Sequence, residues 1–405
     1  MAHSELALSP EARLLFRLAA PAPDGAARAA LLHDPIDWER LTLLAQREKA
    51  VGVVAEQLDT RGGQLPPGSA AIRRVAVLTT FHMLHLEKRL KQTVAALAAE
   101  GIEVVLLKGA GLAFTAYRAF ADRVMADLDL LVRAPEARRA QTLLASAGWV
   151  ASAEADGDAF YSGHHHLPPM HDAEAPSAAL EVHTELFIAG HPLGLTAAAV
   201  WEAARPVRVG GTAAFVPHPH HQLLHSCLHF AWGHGMQAGA WRTFRDVGAI
   251  VRTGEVEWDG FVRLAEDTRG QSCCYWTFEL GRVLAGIEVP DAVLARLRPP
   301  HGRLVHDRIR RHLALTLLPT ESVSPSVRLN RWVWEAAILP GHYGHGATRP
   351  WAQEDRLVSG RRAAAGGAAA DGAGGAGGAS RESRWSAGLE KAGAYRRYLR
   401  TMLTG

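Results

Sequence analysis

Residues 104–132 read VVLLKGAGLAFTAYRAFADRVMADLDLLV. The run from Ile102 to Leu107 follows Gly101 and is rich in branched aliphatics, which predicts a short buried strand. Lys108-Gly109 predicts a turn, Ala110 to Phe120 a helix, and Ala126 to Val132 a second strand. On that strand Asp127 and Asp129 stand two residues apart and share a face, with Leu128 and Leu130 on the other. Two carboxylates about 4 Å apart repel by roughly 4 kcal/mol at an effective dielectric of about 20. A divalent cation between them removes that cost, and Mg2+ favours a few carboxylates together with phosphate oxygens and water. A bare Asp-x-Asp is also compatible with a strand whose outer face meets solvent. The preceding turn adds a second signal. A glycine where a helix begins lets backbone amides approach phosphate, with the helix dipole assisting, and Lys108 supplies a positive charge there.

Working outward, Pro135 to Ala147 predicts a helix, Trp149 to Ala153 a strand and residues 154–176 a Gly-, His- and Pro-rich loop or hairpin. Ala178 to Leu186 predicts a further strand, and Val207 to Val216 a short hairpin. Upstream, residues 9–60 predict helices. Residues 69–99 predict one long amphipathic helix with Val75, Leu78, Phe81, Leu84, Leu90, Val94 and Leu97 along its apolar face, ended by Gly101. Downstream, helical period returns at His221–His234, Trp241–Val251, Trp258–Asp267 and Ser272–Ala285, and continues through 300–340. The expectation is an α+β protein with a small mixed sheet flanked by helices. Its parts are a helical N-terminal segment (1–100), an α/β core (101–217), a helical C-terminal domain (218–358), a low-complexity linker (359–383) and a basic amphipathic helix (384–405).

At 104–132 the sequence resembles an uncharacterised bacterial nucleotidyltransferase family of the DNA polymerase beta-like superfamily. The resemblance rests on Lys108-Gly109, Tyr117, Arg123 and the Asp127/Asp129 pair. It extends to Glu181-Val182-His183, to His225 and His229 in LLHSCLHFAWGHG, and to Arg245-Asp246, so that it spans about residues 75–255. It implies a nucleotidyltransferase core in which Asp127, Asp129 and Glu181 are catalytic and hold Mg2+ or Mn2+. Lys108, Gly109, Arg123 and His183 would bind the nucleotide. The implied reaction moves a nucleoside monophosphate from an NTP to an acceptor by a two-metal displacement at the α-phosphorus, releasing pyrophosphate. The acceptor is open among a small molecule, a protein side chain and an RNA end. Three departures stand out: the turn continues as Gly109-Ala110 without a hydroxyl, the gap from Gly109 to Asp127 is longer than in many superfamily members, and the third acid is Glu181 rather than Asp. They leave room for the alternative of a catalytically silent nucleotide- or partner-binding module on the same fold.

The bulk properties narrow the class further. With 405 residues and 48% hydrophobic content the chain can bury a sizeable core. The net charge of +3 does not demand a nucleic-acid partner. Residues 356–405 carry nine Lys/Arg against three Asp/Glu, so this basic tail could contact an acidic partner. Three cysteines without framework spacing, no signal-peptide pattern and no apolar run of about 20 residues give the expectation of a cytoplasmic protein with no membrane partner. Among the 21 histidines, His164-His165-His166 are consecutive, so they are not expected to share a face, and they do not match zinc spacing. His225 and His229 stand at i and i+4 without the Glu of a metalloprotease motif; a pair lining a cleft is the expectation, and a zinc hydrolase the competing one. Arg245-Asp246 reads first as a surface ion pair; the resemblance adds the expectation that Asp246 anchors the helical domain or contacts ligand. No Gly-x-Ser-x-Gly elbow is present to support a serine triad.

Overall fold

The computed structural model describes residues 8–20, 25, 29, 35–59, 68–151, 163–317, 325–338, 392–396, 398–400 and 402–403. The expected linker at 359–383 lies outside them. The N-terminal helices are α1 (Pro10–Arg17), α2 (Trp38–Arg47), α3 (Val51–Asp59) and α4 (Ala70–Ala99). Ser9 caps α1 by accepting from the Ala12 amide, with Pro10 in the first turn, and Asp37 caps α2 through the Arg40 amide. Gly101, at φ +72°, turns the chain out of α4, as a glycine after a helix end does.

A seven-stranded mixed sheet follows: β1 (Val105–Leu106), β2 (Asp127–Leu131), β3 (Trp149–Ala151), β4 (Met170–Asp172), β5 (Ala179–His183), β6 (Arg205–Val209) and β7 (Thr212–Val216). Their order is β3-β4-β5-β2-β1-β7-β6. The β2–β5 and β1–β7 pairs are parallel and the rest antiparallel. Helices α5 (Lys108–Thr115), α6 (Ala137–Ser146) and α7 (Ala197–Glu202) lie between strands. The C-terminal helices are α8 (Pro219–Leu228), α9 (Ala240–Arg252), α10 (Trp258–Asp267), α11 (Gln271–Ala285), α12 (Asp291–Leu297), α13 (Arg303–Thr316) and α14 (Val327–Ile338). A π turn, His229–Gly233, prolongs α8.

The period-2 alternation of the strands divides two cores. Leu128 and Leu130 of β2, with Leu180 and Val182 of β5, pack on Leu86, Leu90, Val94 and Leu97 of α4. Leu131 of β2 and Val105 of β1 face the other way, into the larger core with α8, α9 and α11. Asp127, Asp129, Glu181 and His183 share that second face by the same alternation. The sheet therefore presents its acids toward the helices and its leucines toward α4.

Three expectations are corrected in detail. On α4, Leu78, Phe81 and Leu84 are exposed (68%, 66% and 52%), whereas Met83, Leu86 and Leu90 are buried. The apolar stripe is too broad to choose its own buried edge, and the sheet takes the other side. The Gly/His/Pro-rich segment contributes an inner strand, β4, paired on both sides. Lys108 belongs to α5 rather than to a turn before it, and the helix ends at Thr115, short of Phe120. From the basic tail, Tyr398 is buried and its hydroxyl lies 2.6 Å from Nδ1 of His312 on α13. Among the described residues no helix is long and apolar enough to cross a membrane.

Candidate functional site

The parallel register of β2 and β5 sets Asp127 opposite Ala179, Asp129 opposite Glu181 and Leu131 opposite His183. The three acids thus come from adjacent strands onto one face. Nε2 of His183 lies 2.9 Å from Oδ1 of Asp129 and 3.2 Å from Oε2 of Glu181. Both neighbours are carboxylates, so this nitrogen carries a proton and donates to them. Lys108 Nζ reaches the same Asp129 oxygen at 2.8 Å.

Lys108 reaches it from a strained backbone. It begins α5 at φ +44°, a left-handed conformation that costs a side chain of this kind about 1–3 kcal/mol and concentrates at functional sites. Three residues on, Gly111 has no substitute: a Cβ there would lie 2.3 Å from the Leu106 carbonyl oxygen. That close approach seats the start of α5 directly behind β1. The amides of its first turn, Gly109 among them, lack intrahelical acceptors.

Burial pushes Asp129 up, but the Lys108 ammonium and the His183 hydrogen bond outweigh it and hold this carboxyl well below the usual range. Glu181 is likewise held down, burial being outweighed chiefly by the His183 hydrogen bond. Burial lowers His183, yet its bonds to Asp129 and Glu181 raise it overall. Asp127 behaves differently. Burial and the neighbouring Asp129 charge raise its pKa, and among the described residues no hydrogen bond or ion pair reaches its carboxylate. The site leaves one acid without a direct bond, offset only at a distance by Lys108 and Arg242.

Above the acids lies a cleft of about 410 Å³, within the range of small-ligand pockets. Its far wall is α8, the π turn and α9, contributing Gln222, His225, His229, His234 and Arg242. Burial lowers His225 to about 3 and His234 to about 4, so both rings are neutral at pH 7.

Arg123, expected at a nucleotide, lines the cleft with its guanidinium already engaged. Its Nε and Nη2 donate to the two oxygens of Asp246 at 2.6 and 2.7 Å, and Nη1 donates to the Val124 carbonyl at 2.7 Å. Tyr117 donates its hydroxyl to Asp246 at 2.6 Å. Asp246 is therefore a buried anchor tying the β2 approach to α9, not half of a surface pair with Arg245. The cleft's other arginine, Arg242, escaped the sequence reading. Its signal was present: it precedes Asp246 by four residues, which places both on one face of α9. Among the described residues no hydrogen bond or ion pair holds its guanidinium, and burial lowers its pKa.

The consecutive histidines also defeat expectation. A bend at His165 and a bridge from His166 to His183 turn the three rings together. Each offers a nitrogen within 4.8 Å of the others'.

A family model described as an uncharacterised nucleotidyltransferase matches residues 34–285, more than half of the chain. The chain belongs to this nucleotidyltransferase family. No curated protein and no solved structure matches it. The match spans α2 to α11, so the sheet, the acids and the helical wall of the cleft all fall within the family's extent. Asp129, Glu181 and His183 also form a cluster able to hold a metal ion.

Proposed function

We propose that the cleft transfers a nucleoside monophosphate from an NTP to a hydroxyl-bearing acceptor, with Asp127, Asp129 and Glu181 as the catalytic acids. The observation that carries this reading is their alignment on β2 and β5, across from the start of α5. The donor set suits Mg2+ or Mn2+, being all oxygen and leaving Asp127 without a direct bond. These three acids would hold the ions, which supply charge neutralisation at the attacking and leaving oxygens.

The chain's own groups do the rest. Lys108 and the Gly109 amide meet the triphosphate at the α5 N-terminus, and Arg242 meets it from the opposite wall. Arg123 acts by positioning: through Asp246 it locks the β2 approach to α9. His183 orients Asp129 and Glu181 by its shared N–H. In the reaction the acceptor oxygen bonds to the α-phosphorus as the bond to the β-phosphate bridge breaks. Pyrophosphate leaves and the hydroxyl proton passes to water.

Incubation with each labelled NTP, Mg2+ or Mn2+ and fractionated lysate tests this. Asp129→Ala should lose labelled product by about 10³-fold or more, equivalent to about 4 kcal/mol, while keeping its circular dichroism. Undiminished labelling by that variant would remove the assignment.

Two observations favour a second reading, a silent nucleotide-binding module. Lys108 already occupies the Asp129 oxygen that a cation would use, and Gly109-Ala110 offers no hydroxyl. Nucleotide binding without transfer to any fraction would select it.

A further inference from the structure

The histidine cluster beside the acids has a chemistry of its own. The ring centroids of His164 and His165 lie 4.5 Å apart, those of His164 and His166 4.2 Å, and those of His165 and His166 4.7 Å. The segment is pinned in this arrangement at the end of β5: the His165 carbonyl accepts from the amides of both Thr184 and Glu185.

Nδ1 of His166 lies 2.7 Å from the Leu167 carbonyl oxygen. A carbonyl only accepts, so Nδ1 holds the proton and, in the neutral ring, Nε2 presents its lone pair. That lone pair faces Oε2 of Glu181 at 3.8 Å, acceptor toward acceptor. Nδ1 of His165 is buried with no hydrogen-bond partner among the described residues. The ring nitrogens lie within 4.8 Å of one another, and a tetrahedral ion with bonds of about 2.1 Å would draw its donors in to about 3.4 Å. The carbonyl bound to the second nitrogen of His166 is the outer support that metal-ligating imidazoles usually have.

We propose that His164, His165 and His166, with the Glu181 carboxylate at their edge, form a site for a borderline transition-metal cation of the Zn2+ class. Imidazole donors distinguish it from the all-oxygen set of Asp127, Asp129 and Glu181, which suits hard cations. The inference stands whether or not the cleft transfers nucleotides.

The test uses the full-length, tag-free chain stripped with a chelator and titrated with Co2+ and Zn2+. Co2+ absorption in the visible range and metal retained after gel filtration are read. The wild type should take up one ion at this site, with tetrahedral-type absorption, and Asp127→Asn should do the same. His164→Ala and His166→Ala should each weaken that uptake roughly 100-fold. Uptake equal in wild type and both histidine variants, or none in the wild type, overturns the site. A measurement on the wild type alone guards against variants that fail to fold: millimolar Mg2+ should leave the Co2+ spectrum in place. Displacement by Mg2+ would put the ion on the acid cluster and overturn the proposal. Absence of nucleotidyl transfer would leave these readouts untouched.

Discussion

At the scale of single residues, the unequal treatment of the two aspartates is the informative feature. Asp129 is doubly held, by Lys108 and His183, while Asp127 is half-buried and, among the described residues, has no hydrogen bond or ion pair to its carboxylate. A carboxyl whose folded-state pKa is raised contributes stability that is fully present below its unfolded pKa. That stability is lost as pH rises through the folded pKa. At neutral pH Asp127 therefore weakens the metal-free protein. Asp127→Asn should stabilise it by about 1 kcal/mol near pH 7, a usual size for relieving a functional position, and by nothing near pH 3. Thermal unfolding in the presence of a chelator at the two pH values checks this, and equal melting temperatures at pH 7 would contradict it. The same variant should be inactive in transfer, so stability and activity would move in opposite directions. The Asp pair was legible from sequence because strand alternation needs no knowledge of topology. The role of Arg123 was not, because the acid that claims it lies on α9, far along the chain.

At the scale of elements, two contacts decide how the sheet meets the helices. The first is the Arg123–Asp246 pair, whose fork geometry a lysine cannot reproduce. Arg123→Lys should destabilise the fold by about 2 kcal/mol, since it leaves a buried carboxylate half satisfied. Urea unfolding reads this directly, and a loss below a few tenths of a kcal/mol would deny the pair its anchoring role. The second is the seating of α4. Leu90→Ala should cost about 3 kcal/mol as a buried truncation, whereas Phe81→Ser should fall within about 0.5 kcal/mol of wild type. The reverse ranking would mean that the helix is rotated. Helical periodicity announced α4, and Gly101 its end, but nothing in a broad apolar stripe says which edge the sheet will cover. The segment around His165 was harder still: consecutive residues in extended chain point to opposite sides, and only a bend gathers them.

At the scale of the whole molecule, the cleft is made by two bodies of structure that share the same sheet. β2 and β5 supply the acids, and α8, the π turn and α9 supply the wall. A ligand that touches both should stabilise both. With Mg2+ and a non-hydrolysable NTP analogue at about 100 times its Kd, stability should rise by about 2.7 kcal/mol. Asp129→Ala should show little of that rise; an equal shift in the variant would place the nucleotide elsewhere. The α+β class was readable from the switch between strand and helix periods. The sheet order was not, because β1 lies between a strand from its own neighbourhood and one from beyond residue 210. The parallel register of β2 with β5 has a temporal consequence as well. Strands paired across some fifty residues of chain must close a long loop before the pairing repays its entropy, so they associate late in folding. On a ribosome, Asp129 emerges well before the strand that brings Glu181 and His183, and before the α9 acid that captures Arg123. The nascent chain thus carries its most crowded charges through an interval before β5 and α9 arrive, with Lys108, 21 residues upstream of Asp129, and the still uncaptured Arg123 as the counter-charges of this site already made.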